Sequence, residues 1–252
     1  MKKSNAITLA TIGILIVAVL LFSLFSTAQS VNTANTTEAP SQTNTDAPAP
    51  ADTAAPKEEN ISMGDALFIG DSRTVGLMEY AQMADADFFA NTGMSVFNIH
   101  KKPVSVPQVG KVTLTELLNH KKYDKIYIML GINEIGYNAD NTVEKYRELL
   151  AFIQEKQPNA ILIIQANLHV TKERSDNDKT TNNPTIDRLN TALSKLADGK
   201  KIFYLDANPV FDDAGGNLSA DKAGDAAHLR AKYYAEWGKW ILTQTAAFVR
   251  EG

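Results

Sequence analysis

The 252-residue sequence contains no cysteine. That excludes a disulfide framework, thiolate metal sites and a cysteine nucleophile. It also lacks an excess of positive charge. Lys and Arg number 25 against 29 Asp and Glu, for a net charge of -4, and no basic stripe is visible. Nucleic acid is therefore not an expected partner. There is no Gly-x-Ser-x-Gly elbow, so the ordinary α/β-hydrolase arrangement fails. His-Glu-x-x-His is absent too, which argues against a zinc hydrolase. Neither Gly-x-Gly-x-x-Gly nor a P-loop occurs, leaving nucleotide cofactors without support. The acidic run from Asp212 to Asn217 lacks the spacing of an EF-hand loop and reads as a turn. Neither a metal nor a cofactor is expected.

The first 60 residues lack the composition of a folded domain, in two different ways. Met1-Lys2-Lys3 leads into an apolar run from Ala6 to Phe25 with no charge and no polar face. About 20 apolar residues suffice to span a bilayer as a helix. Signal-peptide cores are shorter, about 7–15 residues, yet Ser26-Thr27-Ala28 resembles a cleavage site. Residues 1–28 are thus an uncleaved membrane anchor or a signal peptide. In both cases Lys2 and Lys3 stay inside and the remainder is exported. Residues 29–60 are rich in Ala, Thr, Pro and Asn, with Val31 almost the only bulky apolar side chain. Such a segment cannot bury enough surface to order itself and reads as a disordered linker. Its reach is roughly 30 Å as a coil.

From residue 61 to 252 the pattern changes to alternating strands and helices. Strands are expected at Ala66–Ile69, Asp87–Ala90, Lys125–Leu130, Ala160–Gln165 and Lys201–Leu205. The third and fourth are nearly continuous apolar runs, the mark of strands covered on both faces. Helices are expected at Thr74–Met83, Val112–Asn119, Val143–Lys156, Pro184–Ala197 and Ala231–Phe248, with a polar loop over Thr171–Asn183. The last helix carries Tyr233, Tyr234, Trp237 and Trp240 at helical spacing, which suits a core face. Five strands with intervening helices imply an α/β fold with a parallel, doubly wound sheet.

The chemistry-bearing residues fall at strand ends. The first strand runs into Gly70-Asp71-Ser72, the second into Asn91-Thr92-Gly93, and the third into Gly131-Ile132-Asn133-Glu134. In a parallel sheet these ends share one edge, where ligands bind. Asp225-Ala226-Ala227-His228 precedes the final helix. Together they contain the parts of an acyl-transfer site. A serine hydroxyl is a weak nucleophile, so Ser72 needs a base, and His228 is the candidate. His228 needs a carboxylate to fix its tautomer, and Asp225 lies three residues away. Backbone N–H groups of Ser72 and Gly93, with the Asn133 amide, are candidate donors to an oxyanion. Each has an ordinary alternative: Asp71, Ser72 or Asp225 as a helix cap, Gly93 and Asn133 as turn residues, His228 as a surface histidine. His100, His120 and His169 belong to no nucleophile motif.

The combination resembles the four blocks of the GDSL/SGNH hydrolase superfamily, in order and over Ala66 to the C-terminus. The resemblance implies a flavodoxin-like three-layer α/β/α sandwich with a five-stranded parallel sheet. It implies catalytic Ser72, Asp225 and His228, and an oxyanion hole from Ser72, Gly93 and Asn133. Two positions depart from the pattern. Arg73 stands where the name-giving motif has leucine, and Glu134 where aspartate commonly follows the asparagine, a change that bears on how the Asn133 loop is braced. The expected activity is hydrolysis of small O-acyl esters outside the membrane, with acylated glycans as a candidate substrate. An acyltransferase using the same serine, and a non-catalytic envelope-binding module that kept the fold, are the alternatives.

Overall fold

The computed structural model describes residues 63–250. The expected membrane or signal segment 1–28 and the linker 29–60 lie outside the described residues. Among the described residues, no helix is long and apolar enough to cross a membrane.

Five parallel strands form the centre: β1 (Ala66–Gly70), β2 (Asp87–Ala90), β5 (Lys125–Met129), β6 (Ile161–Gln165) and β7 (Ile202–Leu205), in the order β2-β1-β5-β6-β7. A separate antiparallel pair, β3 (Val104–Val106) and β4 (Gly110–Val112), sits between β2 and β5 in the chain. Alternate residues along each strand enter opposite cores. Leu67, Ile69, Ile126, Ile128, Leu162 and Ile164 face one side. There they meet Leu117 of α2 (Leu114–His120), Tyr146 and Leu150 of α3 (Ala139–Lys156), and Leu193 of α5 (Asn183–Ser194). Phe68, Tyr127, Met129 and Ile163 face the other side. Their partners are Leu77 of α1 (Ser72–Tyr80) and Tyr234, Trp237 and Ile241 of α7 (Ala231–Arg250). The result is the expected three-layer α/β/α sandwich, and the aromatic stripe of the last helix is core.

The helix boundaries move where side chains cap them. Asp71 caps α1, its carboxylate accepting the Arg73 N–H at 2.9 Å, so the helix starts at Ser72 rather than Thr74. Asn138 caps α3, so the helix starts at Ala139, four residues before the apolar periodicity begins at Val143. Thr113 and Glu116 form a capping box that starts α2 at Leu114, which frees Val112 for β4. The expected loop after β6 contains a short helix, α4 (Lys172–Asn177), which buries no residue and so shows no apolar period. The four-residue α6 (Asn208–Phe211) also has too few turns to show one.

The sheet order reverses between β1 and β5. Gly70, at the end of β1, is level with Ala90 of β2 and Met129 of β5. The segments leaving these three strands therefore start side by side. In open α/β sheets, this switch point is where ligands bind.

Candidate active site

At the switch point Ser72 is the first residue of α1, immediately past the Asp71 cap. Its hydroxyl lies 2.8 Å from His228 Nε2. The other ring nitrogen, Nδ1, lies 2.9 and 3.0 Å from the two carboxylate oxygens of Asp225. With the Nδ1 proton against that carboxylate, Nε2 is left to accept the Ser72 O–H. Such a line can pass the hydroxyl proton to the ring while the carboxylate holds the imidazolium that forms. Asp225 is not a cap of α7. It closes its own turn, accepting the N–H groups of Ala227 at 2.7 Å and His228 at 2.8 Å. Burial pushes the Asp225 carboxyl up, but those bonds and the His228 ring together hold it below the usual carboxylate range. The side chains of His228 and Asp225 are 37% and 62% exposed, so the line opens to solvent.

The three expected oxyanion donors come from three neighbouring strand ends. The Ser72 N–H, first in its helix, has no acceptor among the described residues. Gly93 has φ of +73°, a left-handed conformation that favours glycine, and its N–H is likewise unengaged. A side chain at Gly93 would meet nothing within 4 Å, so conformation rather than crowding requires the glycine. Asn133 is exposed and spends one amide N–H on the Met94 carbonyl at 2.9 Å. That bond ties the β5 segment to the β2 segment and leaves the second amide N–H free to donate.

Glu134 reinforces the same tie from below. It is 2% exposed, and its Oε1 accepts the Val96 N–H at 2.7 Å. Burial pushes its carboxyl up to about 7, against the Val96 bond and with the Asp71 charge adding to the rise. The longer glutamate thus spans from the Asn133 segment to the segment carrying Gly93.

Arg73 is a feature that motif reading marks only as a departure. It is 1% exposed, turned inward beneath the serine. Its Nε donates to the Ala227 carbonyl at 3.1 Å, one residue before His228. Burial pulls its guanidinium down, and the buried Asp71 carboxylate is the largest opposing influence. Arg73 therefore links the turn that presents Ser72 to the turn that presents His228. Arg73→Leu restores the motif residue but strands the Ala227 carbonyl. It should cost about 1.5–3 kcal/mol in denaturant unfolding, the scale of a buried bond to a charged donor. Unchanged stability would contradict the link.

His169, which matches no motif, is a second histidine held by carboxylates. It is 8% exposed, with Nδ1 2.7 Å from Asp212 and Nε2 2.9 Å from Asp187. Burial pulls the ring's pKa down, but the two carboxylates outweigh it and raise it above the ordinary value. A raised folded pKa means stabilisation that is complete below about 6.5, the free-histidine value, and lost as pH rises through the folded value. The unfolding free-energy difference between wild type and His169→Gln should therefore shrink as pH rises from below about 6.5 into the alkaline range. A constant difference would show that charge plays no part. Unlike His228, this ring has both nitrogens on carboxylates and neither on a serine hydroxyl.

A parallel α/β/α sandwich with a serine–histidine–aspartate line at the switch point is an arrangement suited to ester hydrolysis. The sequence matches the GDSL-like lipase/acylhydrolase family over residues 68–236, and the chain belongs to that family. No curated protein matches it in sequence. Among solved structures, a GDSL-like lipase from Bacteroides thetaiotaomicron is 13% identical, with a TM-score of 0.56, covering 76% of this chain and 91% of its own. Est24, a carbohydrate acetylesterase from Sinorhizobium meliloti, is 15% identical with a TM-score of 0.52, covering 72% and 98%. An acetyl xylan esterase, AlAXEase, is 14% identical with a TM-score of 0.50, covering 71% and 98%. At these identities the likeness is one of fold.

Proposed function

We propose that this protein hydrolyses small O-acyl esters, acetyl esters of carbohydrates first among them, on the outer side of the cytoplasmic membrane. The observation that carries this reading is the unbroken line Ser72 Oγ, His228 Nε2, His228 Nδ1, Asp225 at the sheet's switch point. In this reading Ser72 Oγ attacks the acyl carbon while its proton passes to His228 Nε2. The carbonyl oxygen becomes an anion between the N–H groups of Ser72 and Gly93 and the Asn133 amide. Collapse breaks the bond to the alcohol, which leaves with the proton from His228. Water, deprotonated by the same nitrogen, then cleaves the acyl–Ser72 ester and regenerates the enzyme. Asp225 stays ionised throughout and holds the ring.

Acetylated glycans are the first substrates to assay because two of the fold neighbours are acetylesterases of carbohydrates by name. The external location rests on Lys2 and Lys3 ahead of the run Ala6–Phe25. Protease added to intact cells should then cut within residues 29–60, and protection of that stretch would refute the location. Activity is tested by turnover of p-nitrophenyl acetate by the full-length protein. Hydrolysis with saturation kinetics is expected. A folded protein that turns over no ester would favour a binding module instead.

A further inference from the structure

The segment that carries Asn133 also walls a cavity. Residues from Glu134 to Tyr137 form one side of a space of about 350 Å³, and the opposite side comes from residues 179–180 and the first turns of α5. A water molecule occupies about 30 Å³, so an acetyl group fills only a small part of this volume. The cavity is of the size that takes a ring-sized ligand.

Its rim is cationic. Lys179 and Arg188 both line it, both are exposed, and neither forms an ion pair among the described residues. On α3 and α4, by contrast, Lys145 pairs with Glu148, Arg147 with Glu144, Lys172 with Asp176 and Arg174 with Asp178. The rim is also built rather than loose. Arg188 Nη2 donates to Thr185 Oγ1 at 2.9 Å, which fixes the guanidinium and leaves donors pointing elsewhere. Asp178 accepts the N–H groups of Thr180 and Thr181, both at 2.9 Å, and so folds the turn that presents Lys179. The two walls touch where Gly136, at φ of +107°, lies so close that an added Cβ would sit 2.8 Å from the Thr180 methyl. Tyr137, 66% exposed, leans on Phe97 with ring centroids 5.2 Å apart and gives the wall an aromatic face. An aromatic face, hydroxyls and a pinned guanidinium are the groups that would recognise a sugar ring bearing a carboxylate.

We infer that this cavity holds the alcohol side of the ester, and that this alcohol is an acidic carbohydrate whose carboxylate is taken by Lys179 and Arg188. The inference rests on the esterase reading for its meaning, but its test does not need catalysis. Calorimetric titration of the full-length protein with oligogalacturonate and with neutral xylo-oligosaccharide of equal length measures binding alone. The acidic ligand should bind at least about tenfold more tightly, and Lys179→Gln with Arg188→Gln should remove about that factor, as two exposed charge contacts allow. The preference should also fade with added salt, because exposed charges are screened beyond about 10 Å at 0.1 M. Equal binding of the two ligands, or a preference that survives the double substitution, overturns the inference. So does tighter turnover of octanoyl than of acetyl p-nitrophenyl esters that is unaltered by the double substitution, since the cavity then takes an acyl chain. Turnover of p-nitrophenyl acetate without acidic preference removes this subsite and leaves the esterase reading. Acidic preference without any turnover does the reverse.

Discussion

Ser72→Ala should abolish ester hydrolysis and leave the protein as stable as before. Deleting a triad serine in a serine protease costs on the order of 10⁶-fold in kcat, because nothing else can form the acyl intermediate. The loss should be that large here, since Ser72 Oγ is the oxygen within hydrogen-bond reach of His228 Nε2. Stability should move little. The Ser72 side chain is only half-buried, and its hydrogen bond is the one to a ring that is itself 37% exposed. Substitutions away from buried features stay within about 0.5 kcal/mol. The check is kcat with p-nitrophenyl acetate together with the thermal midpoint. A stable variant retaining a substantial fraction of wild-type turnover would move the nucleophile elsewhere.

Asn133→Ala should lower kcat by about 10²–10³, or about 2.7–4 kcal/mol, with little change in KM. The Ser72 and Gly93 donors are backbone groups and survive any side-chain change. The Asn133 amide is the donor that mutation can remove. Its charge-stabilising role is largest in the transition state, when the carbonyl oxygen has become an anion, so the effect should fall on kcat. The structure adds a second consequence. Asn133 also bonds the Met94 carbonyl, so the variant should lose about 1 kcal/mol of stability on the scale of one neutral hydrogen bond. Turnover must therefore be expressed per titrated active site. A kcat within a few-fold of wild type would reduce Asn133 to a loop tie.

Much of this arrangement is legible in the sequence for a simple reason. Ser72, Gly93 and Asn133 each follow a strand whose apolar run is unmistakable, and parallel strands bring those ends together. Asp225 and His228 are three residues apart, so their contact is local. What the sequence conceals is the long-range support. Arg73 looks like an ordinary charged residue on a helix, and nothing local says that it is buried or that it reaches residue 227. Glu134 reads as a variant beside Asn133, but its partner Val96 is 38 positions away. The carboxylates on His169 come from residues 187 and 212, with no spacing to link them. Short polar helices such as α4 escape for a different reason. They bury nothing, so they leave no hydrophobic period to find.

The same contrast separates the two histidines. His228 and His169 are each paired with aspartate, and composition cannot rank them. His228 has one nitrogen on a carboxylate and the other on a serine hydroxyl at a helix start, whereas His169 spends both nitrogens on carboxylates. A ring with both nitrogens on carboxylates has none facing a nucleophile's hydroxyl, so only the first arrangement supports acyl transfer.

The most direct measurement is covalent capture of the nucleophile. The full-length protein is treated with an alkyl phosphonofluoridate, which reacts with activated serines, and the modified peptide is located by mass spectrometry. One adduct per chain on Ser72 is expected, forming in step with the loss of p-nitrophenyl acetate turnover and greatly slowed by His228→Ala. An enzyme that hydrolyses the ester yet carries its adduct on another residue, or loses activity with Ser72 unmodified, would contradict the assignment of Ser72 as the nucleophile.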